Sequence, residues 1–130
     1  MDLQVDLEQK IQRAWAIRKA IEGLDERIAR LESAARQGHV EKNTVGYLTL
    51  LNRLYRDKDC LFMEEAQIDE AINLIKDPLK REILRARFVC KKSRKETAEQ
   101  FFYSEDRIKQ LTREAMDEIK GHFATRNSPR

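Results

Sequence analysis

The stretch Ser93-Arg94-Lys95-Glu96-Thr97-Ala98-Glu99-Gln100-Phe101-Phe102-Tyr103-Ser104-Glu105-Asp106-Arg107-Ile108-Lys109-Gln110-Leu111 decides the fold. Its first four residues are a complete S-x-x-E capping box, so a short helix is expected over about 94–101, with Ala98 and Phe101 as its apolar positions. Phe102-Tyr103-Ser104 reads as a three-residue turn, and Ser104 as the N-cap of a second, longer helix. That helix carries Ile108, Leu111, Ala115 and Ile119 at i, i+3, i+7 and i+11, with Met116 beside them, and Gly121 is expected to end it. A short capped helix, a tight turn and a longer amphipathic helix make a helix-turn-helix.

At about 100° per residue the face opposite Ile108, Leu111, Ala115 and Ile119 carries Asp106, Gln110, Arg113 and Asp117, flanked by Arg107 and Lys109. In a helix-turn-helix the N-terminal part of this helix enters the major groove. Gln bonds adenine N6 and N7 there, and Arg bonds guanine O6 and N7. Gln110 and Arg113 are therefore the leading base-reading candidates, within the set Asp106, Arg107, Lys109, Gln110 and Arg113. Asp106 suits either the helix dipole or cytosine N4; Glu105 suits the dipole. Lys91, Lys92, Arg94 and Lys95 cluster at the start of the scanning helix, and with Ser104 they form the phosphate-contacting set.

Upstream, Asp77-Pro78 is a helix start, with Asp as N-cap and Pro at the first helical position. The helix from Leu79 to about Val89 presents Leu79, Ile83, Leu84 and Phe88, with Lys80, Arg81, Arg85 and Arg87 on its other faces. Residues 77–122 are thus expected to be a DNA-binding domain, followed by a flexible tail over 123–130.

The preceding residues 1–76 read as a helical coiled-coil extension for oligomerisation or partner binding. Leu7 is followed by Ala14, Ile17, Ile21, Leu24, Ile28, Leu31 and Ala35, spaced 3, 4, 3, 4, 3, 4 from Ala14 onward, which is an a/d seam. The helix is expected over about 7–36, capped by Asp6 with Gln9 in capping-box position, and stopped by Gly38. Asn43 or Thr44 can cap a second helix bearing Tyr47, Leu51, Leu54, Leu61, Ile68, Ile72 and Ile75, with Lys58 and Glu65 on its seam and a break or kink open at Asp57-Lys58-Asp59. The seam serves either an antiparallel hairpin within one chain or a homodimer through the N-terminal helices. Trp15 beside it reads as packing.

The chain has 130 residues, 38% of them charged, and only 4 Gly and 2 Pro. That favours long helices over a β-sandwich or barrel, so the fold class is all-α. The net charge of +3 is an average: residues 1–36 are neutral, 37–77 carry −3, and 78–130 carry +6. A basic segment confined to one end is the footprint of a phosphate-binding surface. No apolar run reaches the ~18 residues of a membrane span, and no secretory signal is visible at Met1-Asp2-Leu3. Cys60 and Cys90 form no C-x-x-C pair and read as reduced thiols, and neither His39 nor His122 has a companion at ligand spacing. No metal or cofactor is expected, and no Gly-rich phosphate loop or nucleophile–base set suggests an enzyme.

The run Arg87-Phe88, Ser93 to Phe101, Ser104 to Leu111 and Ala115-Met116 resembles region 4 of sigma-70-type factors, most closely in Arg107-Ile108-Lys109-Gln110-Leu111. With Ala71-Ile72-Asn73-Leu74-Ile75 before Asp77-Pro78, Ile83-Leu84, Thr97-Ala98 and Tyr103-Ser104, the chain resembles phage and integrative-element regulators of the ArpU and RinA late-gene activator type. It departs from the common pattern at Arg94, Thr97 and Phe102. The resemblance implies promoter DNA binding and contact with RNA polymerase, in the cytoplasm of a bacterial host at its nucleoid. The reading is a sequence-specific transcription regulator with double-stranded DNA as partner. The alternatives are a DNA-packaging protein of the small-terminase kind, which usually places its DNA-binding unit first, and a helical protein-binding module.

Overall fold

In a computed structural model of the chain, residues 3–127 are described, with side chains for 8–122. The architecture is all-α: α1 (Leu3–Gln12), α2 (Ala14–Arg36), α3 (Val45–Asn73), α4 (Pro78–Leu84) running into a π-helical segment (Arg85–Val89), α5 (Arg94–Phe101) and α6 (Glu105–Asn127). The described residues include no strand. They divide into two compact units. One comprises residues 16–65; the other joins residues up to 15 to those from 66 onward. The division therefore differs from a simple one at 76/77.

In the first unit α2 and α3 form an antiparallel helical hairpin. Leu24, Ile28 and Leu54 make its buried centre, flanked by Leu31, Leu51 and Leu61. Polar partners follow the same register: Arg18 with Glu65 at 2.7 Å, Lys58 with Asp25 at 2.5 Å, and the Tyr55 hydroxyl donating to Glu32 at 3.1 Å. As the α2 number rises, the α3 number falls, which is the signature of an antiparallel pair. Lys58 and Glu65 thus meet partners at the edge of the seam rather than breaking it. Surface pairs of this kind contribute about 0.2–1 kcal/mol each, so apolar burial holds the hairpin. Here the heptad seam is occupied within the chain.

Local chemistry sets the hairpin's ends. Gly38 adopts φ +80°, His39 N–H donates to Ala34 O at 2.9 Å and Gly38 N–H to Ala35 O at 3.2 Å, a Schellman stop. Thr44, not Asn43, caps α3: its Oγ1 accepts from Tyr47 N at 3.3 Å. Helix α3 runs unbroken through Asp57-Lys58-Asp59, since three exposed or half-exposed polar residues without Gly or Pro leave the backbone ladder intact.

The second unit corrects three expectations. Asp6 is no N-cap: it lies inside α1, because nothing before it breaks a helix. The expected single helix over 7–36 is two, α1 and α2, joined at Arg13, whose N–H is shared between Gln9 O (3.1 Å) and Lys10 O (3.0 Å). Leu7, the first seam position, has its side chain outside the described residues, and Ala14 falls in this unit, apart from the rest of the seam. Helix α1 packs against α6 and the π-helical segment, with Ile11 and Ala14 buried and Lys120 paired to Glu8 at 3.0 Å. Finally, α6 does not end at Gly121 but continues to Asn127. A helical Gly costs about 1 kcal/mol and stops a helix only when it turns left-handed. Of the expected tail, 123–127 are helical and 128–130 lie outside the described residues.

Candidate nucleic-acid interface

Asp77 opens the site. Its side chain accepts from Leu79 N at 2.9 Å, with Pro78 at the first helical position. Helix α4 then loosens into the π-helical segment, where Cys90 N–H bonds Arg85 O at 3.0 Å and Lys92 N–H bonds Ala86 O at 2.9 Å. This replaces the single helix expected to Val89 and brings the chain round to Ser93. Lys91 takes φ 55° in the same bend.

The capping box of α5 is complete: Ser93 Oγ accepts from Glu96 N at 3.1 Å, and Glu96 Oε1 accepts from Ser93 N at 3.3 Å. Thr97 is fully buried, and its hydroxyl donates to Ser93 O at 2.8 Å. A Thr is therefore satisfied inside this core. The turn reverses at Phe102, which lies in the left-handed region (φ 60°, ψ 40°), while Tyr103 N–H closes on Ala98 O at 3.0 Å. Ser104 caps α6 through Arg107 N at 3.1 Å. Ile83, Ala98, Ile108 and Leu111 form the common core of α4, α5 and α6, with Leu79 and Phe101 packed on it. Ala115, Met116 and Ile119 are buried further along. Lys80 pairs with Glu114 at 3.3 Å, and Lys76 N–H donates to Glu118 at 3.1 Å.

That core fixes which face of α6 is free. Asp106, Arg107, Lys109, Gln110 and Arg113 are all exposed. Gln110 makes one long amide contact to Glu114, 3.4 Å, which a base edge can displace. The phosphate set is less uniform. Arg94 and Lys95 are exposed at the start of α5, and Ser104 is exposed while its oxygen caps α6. Lys92 is half-buried, with Nζ donating to Gln100 at 2.5 Å. Lys91 holds its Nζ 4.2 Å from the Trp15 ring centre, a cation–π contact. Both contacts brace the bend, and each ammonium, with three N–H donors, keeps others for a phosphate.

Arg87, which the periodicity places among merely outward residues, has a larger part. Its Nη1 donates to Lys92 O at 2.6 Å, pinning the loop that leads into α5. Its Nε is buried with no protein partner. Burial, and then the nearby Arg94 charge, hold its guanidinium below the ordinary pKa. The signal in the sequence was the Arg87-Phe88 pair; the bend that turns Arg87 toward Arg94 was not visible there.

Residues 77–121 match the family model Sigma-70, region 4. The matched stretch is 45 of the 130 residues. No curated protein and no solved structure gives a significant match to the chain. The match begins at the Asp77 cap and ends at Gly121, so it takes in α4, the π-helical segment, α5 and α6 as far as Gly121. This segment is a sigma region-4-like, DNA-binding helix-turn-helix. The sigma region-4-like segment is also smaller than the unit it belongs to, which adds α1 and the end of α3. Among the described residues no group of His, Cys, Asp or Glu could hold a metal ion, and no helix is long and apolar enough to cross a membrane.

Proposed function

We propose that the chain is a sequence-specific transcription regulator: a sigma region-4-like activator of phage or mobile-element genes that acts at promoters in contact with RNA polymerase. The observation that carries this reading is the exposed face of α6. Gln110 and Arg113 stand on a capped, core-anchored helix inside a segment matching Sigma-70, region 4. In the reading, Arg94 and Lys95, supported by Arg87, meet backbone phosphates and set the register. Asp106, Arg107, Lys109, Gln110 and Arg113 then read base edges in the major groove. The function is recognition and involves no chemical step. Its place is the nucleoid of a bacterial host. A homodimer, which two half-sites one DNA turn apart require, needs a face other than the Leu24 and Ile28 seam already occupied in the hairpin.

In vitro selection of bound duplexes, followed by mapping of the selected site against a promoter, tests the reading. We expect a defined site and binding that falls steeply with salt, each neutralised phosphate adding about −0.9 to the log–log slope. Arg113→Ala should relax the choice at one base pair by about 1–3 kcal/mol. Lys95→Ala should weaken all duplexes alike and lower the salt slope by about 1. No binding at ~50 mM salt, where electrostatic affinity is strong, overturns the function. Uniform weakening by Arg113→Ala removes its base-reading role.

A further inference from the structure

Phe102 is the most exposed large apolar residue described in the chain, at 93% of its full accessibility. It also stands in the left-handed backbone region, φ 60° and ψ 40°, where a bulky side chain is strained and Gly is at ease. The Phe102 and Tyr103 N–H groups close the turn on Ala98 O, but the ring itself is left almost wholly exposed. Phe101, its neighbour, already supplies the aromatic ring that packs on Ile83, Ala98, Ile108 and Leu111. A strained residue with an unsatisfied apolar ring points to a contact outside the chain.

Its position says which contact. Phe102 is two residues from Ser104, the N-cap of α6, so its Cα lies within about 7.6 Å of that cap along the chain. That end of α6 is the end a helix-turn-helix inserts into the major groove. The first turn of α6 carries Glu105 and Asp106, both acidic, which repel phosphate. The exposed cations of this face, Arg107 and Lys109, lie further along α6, so the border ahead of Ser104 is left to non-ionic contact. The apolar feature that the major groove offers is the C5-methyl group of thymine, and Phe is one of the side chains that contacts it.

We infer that Phe102 is a further DNA-contacting residue, whose ring lies against a thymine methyl at the border of the site read by α6. The inference rests on the DNA-binding reading above and adds a base preference to it. It also predicts opposite effects on folding and binding. Phe102→Gly relieves the left-handed strain and removes the contact.

The test uses the full chain and a duplex chosen by in vitro selection, in versions with individual thymines replaced by deoxyuridine. For Phe102→Gly we expect a melting temperature raised by ~2–6 °C. DNA affinity should fall about tenfold, as for loss of most of a buried aromatic's contact. For the unmodified chain, one thymine-to-deoxyuridine change should weaken binding about fourfold, the worth of one buried methyl group, and should have no effect on Phe102→Gly. Phe102→Asn, which tolerates the left-handed conformation, should bind as weakly as the Gly variant. Unchanged affinity in both variants overturns the inference while leaving the DNA-binding reading intact. So does a variant that keeps its DNA affinity but loses transcription activation, which would assign the ring to a protein. Failure of the unmodified chain to bind any duplex overturns both.

Discussion

The hairpin of residues 16–65 and the sigma region-4-like segment of 77–121 are both helical, yet they are specified by different means. The hairpin is written as a period. Its apolar residues recur at heptad spacing, its polar pairs share one antiparallel register, and punctuation occurs only at Gly38 and Thr44. The sigma region-4-like segment is written as punctuation. Asp77, Ser93 and Ser104 each cap a helix within 28 residues, and Phe102 reverses the chain between two of them. Its helices α4 and α5 have only 7 and 8 residues, too short to persist without caps and a shared core. Charge follows the same division: residues 16–65 hold 9 basic and 9 acidic side chains, while 78–130 are at +6. A periodic surface suits packing along a length, and a punctuated one holds a few side chains at a fixed angle for recognition.

This contrast can be broken most directly in the two cores. Ile108→Ala should destabilise the DNA-binding unit by about 2–5 kcal/mol and abolish site-specific binding, as read by urea unfolding and gel shift. Leu54→Ala should destabilise the hairpin by a similar ~2–5 kcal/mol while DNA affinity stays within about threefold. Equal loss of DNA binding in the two variants would show that the hairpin, too, is needed to hold the reading face. A smaller effect sharpens the point about punctuation. Ser93→Ala should cost about 1 kcal/mol, recovered by Thr at the same position, and should weaken DNA binding with it; a neutral result would deny the capping box its role.

The smallest effect is in pH. The hydrogen bond from the Tyr55 hydroxyl to Glu32, then desolvation, raises its pKa above the ordinary 10.0. Lys58 is raised above 10.5, chiefly by its bond to Asp25. Both groups keep their protons to higher pH in the folded hairpin than in the unfolded chain. The stability they contribute is therefore full below about pH 10 and is lost as pH rises through the raised folded values. Helicity of the hairpin should decline on alkaline titration, and Tyr55→Phe should flatten part of that decline. An unchanged titration in Tyr55→Phe would leave the Glu32 bond without consequence.

The sequence alone determines whatever depends on residues within about five positions of each other. Caps belong here: Asp77, Ser93, Ser104 and the Gly38 stop all form bonds to backbone groups two to five residues away. So does the direction of α6, because Ile108, Leu111, Ala115 and Ile119 share one side of a single helix and leave Gln110 and Arg113 on the other. Tertiary structure decided what meets across the chain. The seam of Leu24 and Ile28 finds Leu54 in the same chain. Helix α1 joins α6 across about a hundred residues of sequence, with Glu8 reaching Lys120. Lys91 and Lys92, equal to Arg94 and Lys95 as charges in a row, are drawn off to Trp15 and Gln100 by the bend after the π-helical segment. A pattern states that a face is apolar or a side chain is charged. Which surface buries that face, and which group occupies that charge, depends on how distant segments pack, and local hydrogen bonding contains no information about it.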